Sequence, residues 1–198
     1  MGRSQLINQF LDREINRRRD DYGGSAAGRF RFLFECLTKI RQRVPRDFLV
    51  GVRLSPEGYG RDGRPGLFMA ETLELVERDV DFIHASLWEY WRPASHSAAN
   101  DQVPMLERFA KHLAGRVPLM VAGKIITPVD AVRVLAMGAD VVALGRVAIG
   151  NPDWPRLARQ SAYEPAQPPF TSDELRVAYL GEAFIDYMKR WPGFVASS

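Results

Sequence analysis

Two glycine–cation pairs carry the plainest chemical potential in this chain. Gly123-Lys124 follows the apolar run Leu119-Met120-Val121-Ala122, and Gly145-Arg146 follows Val141-Val142-Ala143-Leu144. A glycine at a strand end lets backbone N–H groups approach a ligand closely. The adjoining cation adds charge, and arginine adds a bidentate fork for paired anionic oxygens. A phosphate is the ligand such groups suit, although two tight turns with surface cations give the same pattern. Arg53 lies in a third apolar run, residues 48–54. A guanidinium buried there needs a partner. The readings are a structural ion pair with Glu57 or Asp81, or a ligand on which negative charge develops, such as an enolate.

The remaining candidates point less sharply to chemistry. His84, between Ile83 and Ala85, reads as a core or layer histidine. His96 falls in a polar loop and His112 on a helix beside Lys111, and no histidine pair has metal-ligand spacing. Cys36 sits on an apolar helix face and reads as inert core. Trp88, Tyr90 and Trp91 make an aromatic loop that either lines a pocket for a planar ligand or caps the rim of a sheet.

These residues need elements to hold them. Residues 1–24 lack a clean period and read as a loop with a short anchored start. Ser25 caps a helix to about Arg43, with Phe30, Leu33, Phe34, Leu37 and Ile40 at helical spacing. Residues 48–54 form a strand, a Gly-rich loop covers 57–66, and a helix spans about Phe68 to Arg78. Strand 81–86, a helix from about Val103 to Leu113 and strand 119–122 follow. Thr127-Pro128-Val129-Asp130 is a helix start, with Thr as N-cap, Pro at the first position and an acid at the third. Val141 to Leu144 is a strand, Pro152 and Trp154 open a short helix, and Pro165 to Pro169 form a linker. Thr171 or Ser172 caps a last helix ending near Arg190.

Four strands thus alternate with helices, as in a parallel sheet covered on both faces. The segments 79–83 and 138–142 occupy the same helix-to-strand joint, an internal repetition of one unit. An open doubly wound sheet and part of a (β/α)8 barrel both fit, and a whole barrel takes about 250 residues and eight strands. The chain has 198 residues, 46% hydrophobic and 26% charged, as expected of a single globular domain. Its net charge is +3, and the run Arg17-Arg18-Arg19 is answered at once by Asp20-Asp21, so a solvated segment is favoured over a nucleic-acid patch. One cysteine, no apolar run near the ~18 residues of a membrane helix and no apolar leader point to a cytoplasmic protein without membrane or nucleic-acid partners.

Several segments match a family pattern in the correct order. Residues 16–25 read NRRRDDYGGS, followed by Arg29, Phe32-Leu33, Glu35, Val52-Arg53-Leu54-Ser55-Pro56, Val121-Ala122-Gly123-Lys124-Ile125, Ala143-Leu144-Gly145-Arg146 and Asn151-Pro152-Asp153-Trp154. The chain resembles the old yellow enzyme-type NADH:flavin (FMN) oxidoreductases from about Leu6 to Ala158. The resemblance implies an α/β fold, a partial (β/α)8 TIM barrel of approximately strands 5–8 with their helices, plus a C-terminal helix. Residues 1–24 would be a remnant of the fourth strand-helix loop, 25–160 the C-terminal half of the FMN-binding barrel, and 161–198 a linker and terminal helix.

By the same resemblance Arg53 would meet the pyrimidine side of FMN. Gly123, Gly145 and Arg146 would hold its phosphate, with Lys124 close by. NADH or NADPH would be the reductant and an activated alkene the small-molecule acceptor. No catalytic residue is carried over. The tyrosine that often donates a proton would fall at Gln5, the second substrate-orienting residue at Arg3 and the first before Met1. Gly28 stands where asparagine is usual. The implied protein is an ene-reductase half, incomplete alone, working as a homo-oligomer or with a complementary N-terminal half-barrel. The alternative is a non-catalytic FMN-binding, phosphate-binding or assembly module.

Overall fold

The computed structural model describes residues 6–12, 15–55, 80–93, 102–160 and 162–197. The expected Gly-rich loop, the helix from Phe68 to Arg78, Glu57, Asp79, His96 and the departures at Met1 to Gln5 lie outside the described residues. Two compact units form, Met1–Gly123 with Val134–Val142 and Lys124–Arg133 with Ala143–Ser198.

The first unit opens with α1 (Leu6–Leu11), where only an anchored loop was expected. Leu6, Ile7, Phe10 and Leu11 recur at helical rather than alternating spacing, which one turn and a half of helix uses to bury Leu11. α2 (Ala26–Arg41) starts where the cap predicts, with Ser25 Oγ accepting from Gly28 N at 3.1 Å. Phe30, Leu33 and Leu37 form its buried stripe, while Ile40 is exposed and Cys36 only half-buried, so the thiol is not core.

The sheet comprises β1 (Gly51–Leu54), β2 (Phe82–Ser86), β3 (Leu119–Ala122) and β4 (Val141–Val142), paired in parallel in that order. α3 (Met105–Leu113) precedes β3 and buries Met105, Leu106, Phe109 and Leu113. Register puts Val52, Ile83 and Leu119 in one row and Leu54, Ala85 and Val121 in another, all six buried. The opposite face carries Arg53, His84, Met120 and Val141 in register, half-buried or exposed. Burial among the described residues of the sheet is therefore one-sided. Within the described residues one face is covered, and the other carries Arg53 and His84, polar residues that sit inside runs which look continuous in sequence.

The internal repetition has a physical counterpart. Asp81, just before β2, donates its N–H to Val50 O at 2.8 Å and accepts from Val50 N at 2.7 Å. Asp140, just before β4, donates to Leu119 O at 2.9 Å and accepts from Leu119 N at 2.7 Å. Each carboxylate thus closes the N-terminal end of a parallel pair that the ladder leaves open. Asp81 is further held by Arg41 Nη2 at 2.5 Å.

In the second unit α4 (Pro128–Ala136) begins, its last turn belonging to the first. Thr127 Oγ1 accepts from Asp130 N at 3.1 Å, and Asp130 Oδ2 accepts from Thr127 N at 2.9 Å, the reciprocal cap the sequence predicts. The segment after β4 forms α5 (Arg146–Gly150) and then α6 (Trp154–Leu157). The tail is two helices, α7 (Ser172–Val177) and α8 (Glu182–Met188), rather than one. Tyr179 adopts a left-handed φ of 65° and Gly181 caps α8 in an extended conformation, which interrupts the helical path. Phe170, Leu175, Ile185, Met188 and Phe194 give the tail its own buried cluster.

The clamp at Asp81 has a measurable acid signature. Its carboxyl is held below the ordinary value of 3.8, first by the Val50 N–H and then by Arg41. A lowered folded pKa contributes stability above the unfolded value that is lost as pH falls through the folded one. Asp81→Ala is expected to cost about 1–2 kcal/mol in urea unfolding at neutral pH. The gap to wild type should close as pH drops below 3.8; a gap that persists there argues against the clamp.

Candidate functional site

In a parallel α/β sheet the C-terminal strand ends are where ligands bind, so the candidates are the residues that leave the strands, within each unit by itself. In the first unit Arg53 Nη2 donates to Ser86 Oγ at 2.8 Å, crossing from β1 to β2. Ser86 lies two residues beyond His84, the register partner of Arg53, so the guanidinium is carried toward the C-terminal end of the strands. Arg53 is exposed, not buried as expected, because it stands on the pleat opposite Val52 and Leu54. An ion pair with Asp81 is also ruled out, since that carboxylate serves Arg41 and Val50.

His84 is half-buried, and its Nε2 finds no hydrogen-bond partner. The imidazole is held below the usual histidine range, first by burial and then by the Arg53 charge. It belongs to the face that carries Arg53 rather than to the apolar core. The register, which isolated runs do not reveal, is the signal that groups the two.

The aromatic loop folds back over the end of β3. Leu87 N donates to Ala122 O at 2.7 Å and Tyr90 N to Gly123 O at 3.0 Å. Tyr90 is buried, edge-on to Trp91 at 4.8 Å, whereas Trp88 is 62% exposed. Gly123 is itself buried. A Cβ added there would lie 3.0 Å from both Leu87 Cβ and Tyr90 N, so this glycine has a packing reason that sequence reading missed.

In the second unit Lys124 is exposed with a left-handed φ of 53°. Gly145 is exposed, caps α5 with φ −108° and ψ −112°, and a Cβ there would meet nothing within 4 Å. Arg146 is the first residue of α5 and is exposed, so a short helix replaces the expected turn. Within the second unit, an open backbone at Gly145 beside the Arg146 guanidinium has the chemistry that suits a phosphate; within the first, the Ser86-held guanidinium of Arg53 has the chemistry that suits an electron-rich ring edge. Among the described residues no group of three or more His, Cys, Asp or Glu is placed to hold a metal, and no helix is long and apolar enough to cross a membrane.

Other residues of the matched segments serve as braces. Asn16 Nδ2 donates to Phe10 O and Tyr22 O, both at 2.7 Å. Arg29 donates to Leu11 O at 3.1 Å and Gly24 O at 2.7 Å, and Tyr22 OH to Glu35 at 3.0 Å. In the second unit Asn151 exchanges hydrogen bonds with Ala166, and Trp154 Nε1 donates to Ile126 O at 2.8 Å. Gly28 is also explained: a Cβ there would overlap the Gly23 carbonyl oxygen. Gly-to-Ala inside a helix ordinarily stabilises by about 0.8–1 kcal/mol. Here Gly28→Ala is expected to lower stability by about 1–3 kcal/mol, read as a lower melting temperature by circular dichroism. A raised melting temperature would show that the loop yields easily.

The family model described as NADH:flavin oxidoreductase / NADH oxidase matches residues 2–164. NADH:fumarate oxidoreductase of Klebsiella pneumoniae is 34% identical over 160 residues, covering 75% of this chain and 17% of that protein. The probable NADH-dependent flavin oxidoreductase YqiG of Bacillus subtilis is 32% identical over 157 residues, covering 75% of this chain and 41% of that one. The solved structure of morphinone reductase superposes with a TM-score of 0.63 at 28% identity, over 83% of this chain and 43% of that chain. The chain spans less than half the length of these relatives.

Proposed function

This chain belongs to the NADH:flavin oxidoreductase / NADH oxidase family, and we propose that it forms the FMN-holding part of an oxidoreductase of the ene-reductase type. FMN with NAD(P)H as reductant is the cofactor chemistry of the family. When bound, the flavin would supply hydride transfer between a nicotinamide and an acceptor. An activated alkene is the proposed acceptor class. The fumarate in one relative's name is such an alkene, its double bond flanked by carboxylates.

The residues of this chain bind and orient. The observation that carries the reading is the Arg53–Ser86 hydrogen bond at 2.8 Å, which fixes a guanidinium at the strand ends. Arg53 would stabilise negative charge on the pyrimidine side of the ring. Gly145 and Arg146, together with Gly123 and Lys124, would hold the phosphate end. Proton donation and substrate orientation would come from residues that cover the second face of the sheet. A second copy or a complementary half-barrel would supply them, and the half-exposed row Arg53, His84, Met120 and Val141 supports that reading.

Reconstitution with FMN tests the proposal. Bound flavin should appear as absorbance near ~450 nm that stays with the protein through gel filtration. Arg53→Ala is expected to weaken FMN binding by roughly tenfold, the loss of one charge-assisted hydrogen bond. A wild-type chain that retains no flavin would sink cofactor binding by this chain. Retained flavin that NAD(P)H does not bleach under anaerobic conditions would favour the non-catalytic module instead.

A further inference from the structure

His84 lies directly beside Arg53 in the β1–β2 register, and Ser86 stands one step further along the same face. Nε2 of His84 is out of reach of solvent and lacks a hydrogen-bond partner, while Arg53 leans past it to Ser86 Oγ at 2.8 Å. The same row continues with Met120 on β3 and Val141 on β4, neither of which carries charge. Among the described residues of this face, Arg53 is thus the charge that His84 meets, and no acid offsets a second cation there.

We propose that His84 is a positioning residue for Arg53: the neutral imidazole is the floor against which the guanidinium reaches Ser86, and protonation of that imidazole drives Arg53 off the strand end. The inference rests on the reading of Arg53 as the FMN-facing charge. Like charges a few ångströms apart disfavour each other's charged form, and burial of the ring disfavours its cation further. Both effects act in the same direction on His84, holding its imidazole below the usual range. The neutral floor therefore prevails at neutral pH and is lost in acid. A purely apolar floor would pack as well, yet would not respond to pH; a lysine would repel Arg53 at every pH.

The test has one arm free of cofactor and one with it. Proton NMR of the full chain, with His84 assigned by its disappearance in His84→Gln, should show that imidazole titrating below the ordinary 6.5. In Arg53→Gln its midpoint should rise by roughly half a pH unit or more, since one repelling charge is gone. FMN titrations by fluorescence quenching then compare pH 7.5 with a pH below the imidazole midpoint found in the first arm. The wild type should lose several-fold more affinity on acidification than His84→Gln, which cancels the titration of the FMN phosphate itself. His84→Lys should bind FMN roughly tenfold more weakly already at pH 7.5, as one fixed like charge implies. An imidazole that titrates at 6.5 and ignores Arg53→Gln overturns the inference, as does an equal acid loss in wild type and His84→Gln. If the wild type binds no FMN at pH 7.5, the cofactor reading fails, and the imidazole titration alone decides the role of His84.

Discussion

The parallel ladder from β1 to β4 decides which side chains share a row, and the site depends on that register. A slip of one residue in the β1–β2 pair would turn Arg53 toward the buried row and bring Leu54 to the face of Ser86. Register in a short parallel pair is weakly held by its own bonds. The carboxylates of Asp81 and Asp140 add a fixed point at the start of each of two pairs, tying Val50 and Leu119 in place. The chemistry at one end of the sheet is therefore aligned by anionic clamps at the other.

These clamps at the strand starts differ from the ion pairs elsewhere. Arg176 bridges Asp173 and Glu182, and Lys189 pairs with Asp186, all on the exposed surface of the tail. Such pairs are screened by solvent and contribute little each. Asp81 and Asp140 instead satisfy backbone donors that the ladder leaves open, where an unmade hydrogen bond is costly. The same logic explains the matched segment at residues 16–25. Asn16 bonds the Phe10 and Tyr22 carbonyls, Asp20 accepts from Tyr22 N, Tyr22 reaches Glu35 and Arg29 holds the Gly24 carbonyl, so these residues close the loop between α1 and α2.

Local rules were enough for much of this architecture. Ser25, Thr127 and Thr171 each cap the helix that their side chains announce, and β3 runs over the residues its apolar run marks. What the sequence concealed depends on partners distant in the chain. The exposure of Arg53 follows from the pleat, and its grouping with His84 follows from register across 31 positions of sequence, neither of which a single run reveals. The break between α7 and α8 hides in a segment whose apolar spacing is helical throughout, because a left-handed Tyr179 has no strong sequence signature.

Gly123 and Gly145 show the limit of reading residue types alone. Both follow an apolar strand and precede a cation, so pattern assigns them one role. In the fold Gly123 is buried beneath the backbone of Tyr90, and any side chain there would press on Leu87 and Tyr90. Packing accounts for it whether or not a ligand is present. At Gly145 a Cβ meets open space, so packing offers no reason for a glycine. The approach of a ligand to the backbone does offer one. The weight of the proposed phosphate role therefore rests on Gly145 and Arg146, and Gly123 contributes first by letting the aromatic loop close over β3.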